Sequence, residues 1–162
     1  MPLGEDPAER TGYLRYFYRG WRPTRLGRIW SRMYAWVSGL GLVPRMLLTL
    51  QTHEVVSGRV NTVILVVATY LGDRYLVSML GAGSQWVRNA RANGGKAIVK
   101  RGTTQPVRLV EIPPHERAPI LKAWVQVATS GRHHLPVAYD APVSSFALIA
   151  NDYPVFRIDA AN

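Results

Sequence analysis

The sequence predicts an α+β fold: an antiparallel β-meander or barrel of about six strands, with a helix before it, a short helix after the third strand and a longer helix after the fifth. Three observations carry this reading. Short β-branched runs follow one another in close order, punctuated by glycine turns. Helical periodicity is confined to a segment before residue 41, a short insert near 85–93 and a segment after 113. The stretch from Arg74 to Lys100, RYLVSMLGAGSQWVRNARANGGKAIVK, reads as strand, glycine turn, short helix, glycine pair, strand.

The elements follow in order. Residues 1–23 read as a basic, aromatic leader and residues 24–162 as a single domain. From Arg25 to Leu40, Leu26, Ile29, Met33, Val37 and Leu40 share one helical face, and Arg25, Arg28 and Arg32 share a neighbouring one. That pattern fits a helix laid over the domain. It also fits peripheral membrane contact through residues 13–40, with arginines toward anionic lipid. Gly39, Gly41 and Pro44 end the segment. Residues 46–54 form the first strand, and Ser57-Gly58 turns the chain into residues 60–70, a run expected to be buried on both faces along much of its length. Gly72-Asp73 turns it again into a strand over 75–79. Ser84 is a good N-cap for the helix near Gln85, and Gly94-Gly95 ends that helix. Strands over 96–100 and 107–112 come next, with Arg108 outward by alternation. Pro113-Pro114 opens a helix to Ala128 whose apolar face holds Ile120, Leu121, Trp124 and Val127. A polar loop over 129–142, a short helix near 143–150 and a last strand over 153–158 complete the chain.

Composition narrows the function. A chain of 162 residues, 48% hydrophobic, is long enough for one real core. The absence of cysteine excludes disulfides and thiolate metal sites. No run approaches the roughly 18 apolar residues of a membrane span, and MPLGEDPAER is unlike a secretory signal, so a cytoplasmic protein is expected. The net charge is +10, and 17 of the 20 basic residues are Arg, which favours an anionic partner. The histidines have no acidic neighbour at ligand spacing, so no metal site is expected. There is no nucleophile elbow, no GxGxxG and no P-loop. No RNA motif accompanies the basic residues, so nucleic acid is not an expected partner. What remains is a glycine turn feeding a helix N-terminus, suited to an anion or an electron-rich ring edge, although the bare pattern also fits a plain connection.

Three segments resemble the deazaflavin-dependent nitroreductase and quinone reductase family of actinobacteria, which are split β-barrel oxidoreductases. Ser57-Gly58-Arg59 is similar to that family's basic Ser-Gly turn. Tyr75-Leu76-Val77-Ser78 followed by Trp86-Val87-Arg88-Asn89-Ala90-Arg91-Ala92 and Gly94-Gly95 resembles its strand, loop and WxRNxRA signature. Asp140-Ala141-Pro142 through Pro154-Val155-Phe156-Arg157 resembles its C-terminal segment. The resemblance implies coenzyme F-420, an 8-hydroxy-5-deazaflavin with a phosphate and a polyglutamate tail, and hydride transfer to a small-molecule electron acceptor such as a quinone, nitroaromatic or activated enone. It implies that the ring lies against Ser78, Met79, Gly81, Gly83, Ser84, Trp86, Val87, Arg88 and Asn89, and the phosphate at Ser57, Gly58, Arg59, Asn61 and Thr62. Ser78 and Tyr139 are the residues it assigns to the reaction, with Tyr153 as the other tyrosine that could border the acceptor. Val56 and Asn61 stand where relatives usually carry Arg or Lys. That departure keeps a second reading open: a non-catalytic or membrane-associated ligand-binding barrel, held on the inner face of the plasma membrane, with FMN or haem as other ligands. Monomer and homodimer are both compatible with the resemblance.

Overall fold

The structure is a computed structural model that describes residues 18–19, 22–23 and 45–161. The expected helix over 25–40 lies outside the described residues, as do most of the leader and of the 13–40 membrane segment. Two short strands, β1 (Tyr18–Arg19) and β2 (Arg22–Pro23), pair antiparallel.

The rest is a closed barrel of β3 (Leu47–His53), β4 (Val60–Tyr70), β5 (Asp73–Val77), β6 (Lys96–Arg101), β7 (Thr103–Glu111) and β8 (Val155–Ala160). Its order is β3-β4-β5-β8-β7-β6, every neighbour is antiparallel, and β3 closes onto β6 through Thr49↔Lys100, Leu50↔Val99 and Gln51↔Ile98. The α+β barrel expected from the sequence is therefore present. Among the described residues three α-helices accompany it: α1 (Gln85–Ala92), α2 (Arg117–Val127) and α3 (Val143–Ala147).

Strand alternation divides the apolar residues between two cores. The barrel interior holds Leu48, Leu50, Leu76, Ala97, Val99, Val107, Leu109, Phe156 and Ile158. α1 inserts Trp86, Val87 and Ala90 into the same cluster, so it plugs the barrel. Trp86 meets Phe156 edge-on, with ring centroids 5.2 Å apart, a contact that adds about 0.5–1.5 kcal/mol beyond area burial. The second core lies outside the barrel wall. There α2 packs Ile120, Leu121, Trp124 and Val125 against Ala68, Tyr75, Val77 and Val155, and Phe146 of α3 joins them.

Gly95 is fixed by close approach. Its φ is +81°, and a Cβ there would stand 2.1 Å from the Leu109 carbonyl oxygen. The Leu109 N–H donates to the Gly95 carbonyl at 2.7 Å, so the end of α1 is bound to β7. Arg117 is buried but fully engaged: Nε donates to the Ile112 carbonyl at 2.7 Å, one terminal nitrogen to the Ala150 carbonyl at 2.9 Å, and the other to Glu111 at 3.0 Å.

Several local expectations need correction. The turn between β4 and β5 is Leu71-Gly72 rather than Gly72-Asp73; both residues have positive φ, +49° and +88°, as a tight two-residue hairpin demands. β4 is not buried on both faces. Only Ala68 is fully buried, because β5 pairs with its C-terminal part alone. Ser84 sits at the N-cap of α1 but its side chain makes no capping bond; the hydroxyl turns to Ser78 instead. β7 runs longer than expected, through Pro106, which stands opposite Ile98.

Candidate functional site

Register exposes an opening in the barrel wall. β3 pairs with β4 from Val60 to Val66, whereas β5 pairs only from Val67 to Tyr70. After Val77, β5 leaves β4: the Ser78 N–H follows β8 and donates to the Pro154 carbonyl at 2.9 Å. The chain then turns at Gly81, whose φ is +80° and whose N–H donates to the Ser78 carbonyl at 3.0 Å. The wall is thus split between the first half of β4 and the Ser78–Ser84 loop.

The direction of each main-chain group on β4 follows from two bonds. The Val67 N–H donates to the Met46 carbonyl at 2.7 Å, so odd-numbered residues face β3. The Val66 carbonyl faces the opposite way and accepts the indole Nε1–H of Trp124 at 3.2 Å. Thr62 and Ile64 share the direction of Val66. Among the described residues no strand stands opposite them on that edge. The interior opens here too. Val63, Leu65 and Val67 point into the barrel cluster yet are only partly buried, whereas the fully buried members of that cluster come from other elements.

Trp124 closes one end of the seam. Its ring lies where a Cβ on Gly131 would meet it at 2.8 Å, with the Met79 sulfur 3.3 Å from the same point. This links the loop after β5 to the segment after α2. In that segment Arg132 stacks over the Tyr139 ring at 4.4 Å, and Gln126 donates to the Tyr139 carbonyl at 2.7 Å. Tyr139 is half exposed, while Tyr153 is packed against the outer core and its hydroxyl donates to the His134 carbonyl at 3.2 Å.

The Ser78–Ser84 loop is held by its own serines. Both are buried, their hydroxyl oxygens lie 2.8 Å apart, and the Ser78 hydroxyl donates to the Gly81 carbonyl at 2.7 Å. Behind it, a polar chain fixes α1 to the barrel. Arg88 donates to Gln85 at 2.7 Å, Gln85 to Asn89 at 2.9 Å, and the buried Asn89 amide to the Thr52 hydroxyl at 3.2 Å. Asn61 is the register partner of Thr52, and Thr62 accepts from Gln51 at 3.4 Å. At the β3–β4 hairpin the Ser57 hydroxyl donates to Glu54 at 2.5 Å and accepts the Arg59 N–H at 3.2 Å.

The residues singled out in the sequence therefore divide. Asn61, Thr62, Ser78, Met79, Gly81, Gly83 and Ser84 border the seam or build its loop wall. Ser57, Gly58 and Arg59 form an exposed hairpin tip, and Arg88 is exposed on α1. The side chains of Trp86 and Val87 belong to the barrel core, and Asn89 is committed to Thr52. Trp124 and Gly131 were not signalled as site residues by the sequence; an indole among aliphatic residues on an amphipathic helix reads as core packing.

No protein-family model matches the sequence, and no curated protein matches it. Solved structures share its fold. A chain solved as a domain-swapped dimer is 18% identical, with a TM-score of 0.53 over 83% of this chain and 94% of that one. A protein of unknown function from Agrobacterium tumefaciens is 15% identical, with a TM-score of 0.56 over 80% of this chain and 55% of that one. An F-420-H2 dependent reductase is 18% identical, with a TM-score of 0.50 over 72% of this chain and 96% of that one. The chain is an α+β split-barrel protein.

Proposed function

We propose that the protein is an oxidoreductase that passes a hydride from reduced coenzyme F-420 to an electrophilic small molecule, such as a quinone, a nitroaromatic or an activated enone. The observation that carries this reading is the seam between β4 and the Ser78–Ser84 loop. It offers apolar walls from Val63 and Leu65 and main-chain hydrogen-bonding groups along one edge, which suits a planar heteroaromatic ring. The similarity in fold to an F-420-H2 dependent reductase supports the choice among such rings, as does the net charge of +10.

The ring portion fits the residues present. Met79, Gly81 and Gly83 provide the loop wall, and the hydroxyl pair of Ser78 and Ser84 fixes its shape. Ser78 is thereby a positioning residue in this reading. The side chains of Trp86, Val87 and Asn89 hold α1 in place. The phosphate portion fits less well: Glu54 holds the Ser57 hydroxyl, and Val56 brings no charge. Arg59, Arg88 and Lys96 are exposed cations available to meet an anionic tail. In this reading Tyr139, over whose ring Arg132 stacks, is the tyrosine assigned to the acceptor side. When bound, the reduced deazaflavin supplies the hydride; the chain orients the ring, keeps water out and shapes the space for the acceptor.

The test is a titration of the full protein with F-420 followed by fluorescence quenching, then oxidation of the reduced cofactor with an acceptor panel. Saturable binding weakened by Arg59→Ala and Arg88→Ala is the expected result. Absence of binding at high-micromolar cofactor sinks the reading.

One observation favours a second reading, a membrane-associated binding protein. Val56 is 96% exposed and Val55 58% at the hairpin tip, beside Arg59. No described helix is long and apolar enough to cross a membrane. Flotation with anionic vesicles that is lost in Val55→Ser/Val56→Ser supports this reading; no flotation of the parent protein removes it.

A further inference from the structure

Among the described side chains Arg132 stands apart from the other arginines. Arg117 is buried and Arg157 partly buried, and each is bonded to a carboxylate. The remaining described arginines are exposed. Arg132 is partly buried, yet among the described residues no carboxylate lies within ion-pair distance of it and no acceptor takes a hydrogen bond from its guanidinium. Its one described contact is the stack over the Tyr139 ring at 4.4 Å. A stacked guanidinium keeps its N–H edge for acceptors in its own plane. Gln126 donates to the Tyr139 carbonyl at 2.7 Å and so ties the stacked ring to α2. Gly131, the residue before, packs where a Cβ would stand 2.8 Å from the Trp124 ring and 3.3 Å from the Met79 sulfur. Arg132 therefore starts one residue from the end of the seam that Trp124 closes. The hairpin tip with Arg59 lies at the Val60 end of β4, whereas Trp124 meets Val66. Six residues of strand separate these two ends by about 20 Å.

We propose that Arg132 anchors a carboxylate on the electron acceptor, so that the acceptors are carboxylate-bearing nitroaromatics, quinones or enones. The inference rests on the reading of the seam as the cofactor site, with the anionic tail at the Arg59 end. It adds the charge of the acceptor and a residue that selects it. A carboxylate accepts two guanidinium N–H bonds at once, and a partly desolvated guanidinium held by a ring loses little freedom in making them. An acceptor of the same shape without the carboxylate leaves those donors unpaired, which disfavours it.

The experiment uses the full, nitrogen-labelled protein, alone and with F-420, and two probes of similar shape, 4-nitrobenzoate and nitrobenzene. The expected result is that 4-nitrobenzoate binds about tenfold tighter, the worth of one charge-assisted hydrogen bond. It should also shift the side-chain Nε–H signal of Arg132, assigned by its loss in Arg132→Gln. Arg132→Gln should remove the preference. Arg132→Lys should keep part of it, because the charge remains while the planar fork does not. If the Arg132→Gln protein does not fold, the ratio of the two probes on the parent protein and the shifts in Arg132→Lys still decide. Equal binding of the two probes, binding of neither with or without F-420, or a preference that survives Arg132→Gln overturns the inference. So does F-420 binding that Arg132→Gln weakens as strongly as Arg59→Ala, which gives the anion to the cofactor tail. An Arg132-dependent preference in a protein that binds no F-420 supports the carboxylate site and removes the proposed function. F-420 binding with no preference between the probes leaves that function standing and overturns the inference.

Discussion

The indole of Trp124 donates to the main-chain carbonyl of Val66 at 3.2 Å, one residue before the first β4–β5 register pair, Val67↔Leu76. A side chain from α2 thus meets the barrel wall where the β4–β5 ladder begins. The contact has neighbours on both sides: Gly131 lies against the ring, and the Met79 sulfur lies close to the same point.

Two substitutions probe that wedge. Trp124→Ala should cost about 3–5 kcal/mol, the range for truncating a buried aromatic. Gly131→Ala has an acceptable backbone, with φ of −81°, but its methyl would meet the indole at 2.8 Å. It should cost about 1–3 kcal/mol by overpacking and should move Met79 and the loop wall. Urea denaturation measures both, and a Gly131→Ala protein as stable as the parent contradicts the packing described.

Asn89 ties α1 to β3 through Thr52 while receiving Gln85. Asn89→Ala leaves the buried Thr52 hydroxyl without that donor and should cost about 1–3 kcal/mol. Because α1 plugs the barrel, the loss should also appear as faster hydrogen exchange of the amides of residues 85–92. Unchanged exchange there means the network does not hold the helix.

Leu71 has φ of +49° and is 86% exposed. A left-handed conformation costs a non-glycine residue about 1–2 kcal/mol, and asparagine tolerates it better in this turn. Leu71→Asn should therefore raise the thermal midpoint, as read by calorimetry. A lowered midpoint would show that the leucine side chain contributes a contact.

Acid should weaken the fold in two steps. Burial holds the His134 imidazole below its usual 6.5, and His133 adds to the effect. The unfolded chain then takes up a proton that the folded one resists, so stability begins to fall as pH drops below about 6.5. Glu111 is held below its usual 4.5, chiefly by the hydrogen bond from Arg91, whose own value is raised by it. Its contribution is full above about 4.5 and is lost as pH falls through the lower folded value. Thermal midpoints across pH should show the first step missing in His134→Gln and the second reduced in Glu111→Gln.

The strands and the glycine turns were legible because both are local signals. β-branched runs sit between Ser57-Gly58, Gly72 and Gly102, and the alternation that put Arg108 outside is the one observed. The split was not legible. It depends on β5 stopping at Val77 while β4 continues, and a pairing between Val60–Val66 and the rest of the sheet leaves no mark in either sequence alone. The same holds for the Ser78–Ser84 hydroxyl pair and for Trp124: an N-cap serine and an apolar helix face are what those residue types ordinarily do. The resemblance supplied Arg88 and the loop, but it could not show that Trp86 and Val87 face the barrel core.

The proposed hydride transfer requires that the seam bind a deazaflavin ring. Its most direct test is a fluorescence titration of the full protein with F-420. Saturable quenching, weakened in Arg59→Ala and Arg88→Ala, is the predicted result; no quenching up to high-micromolar cofactor contradicts it.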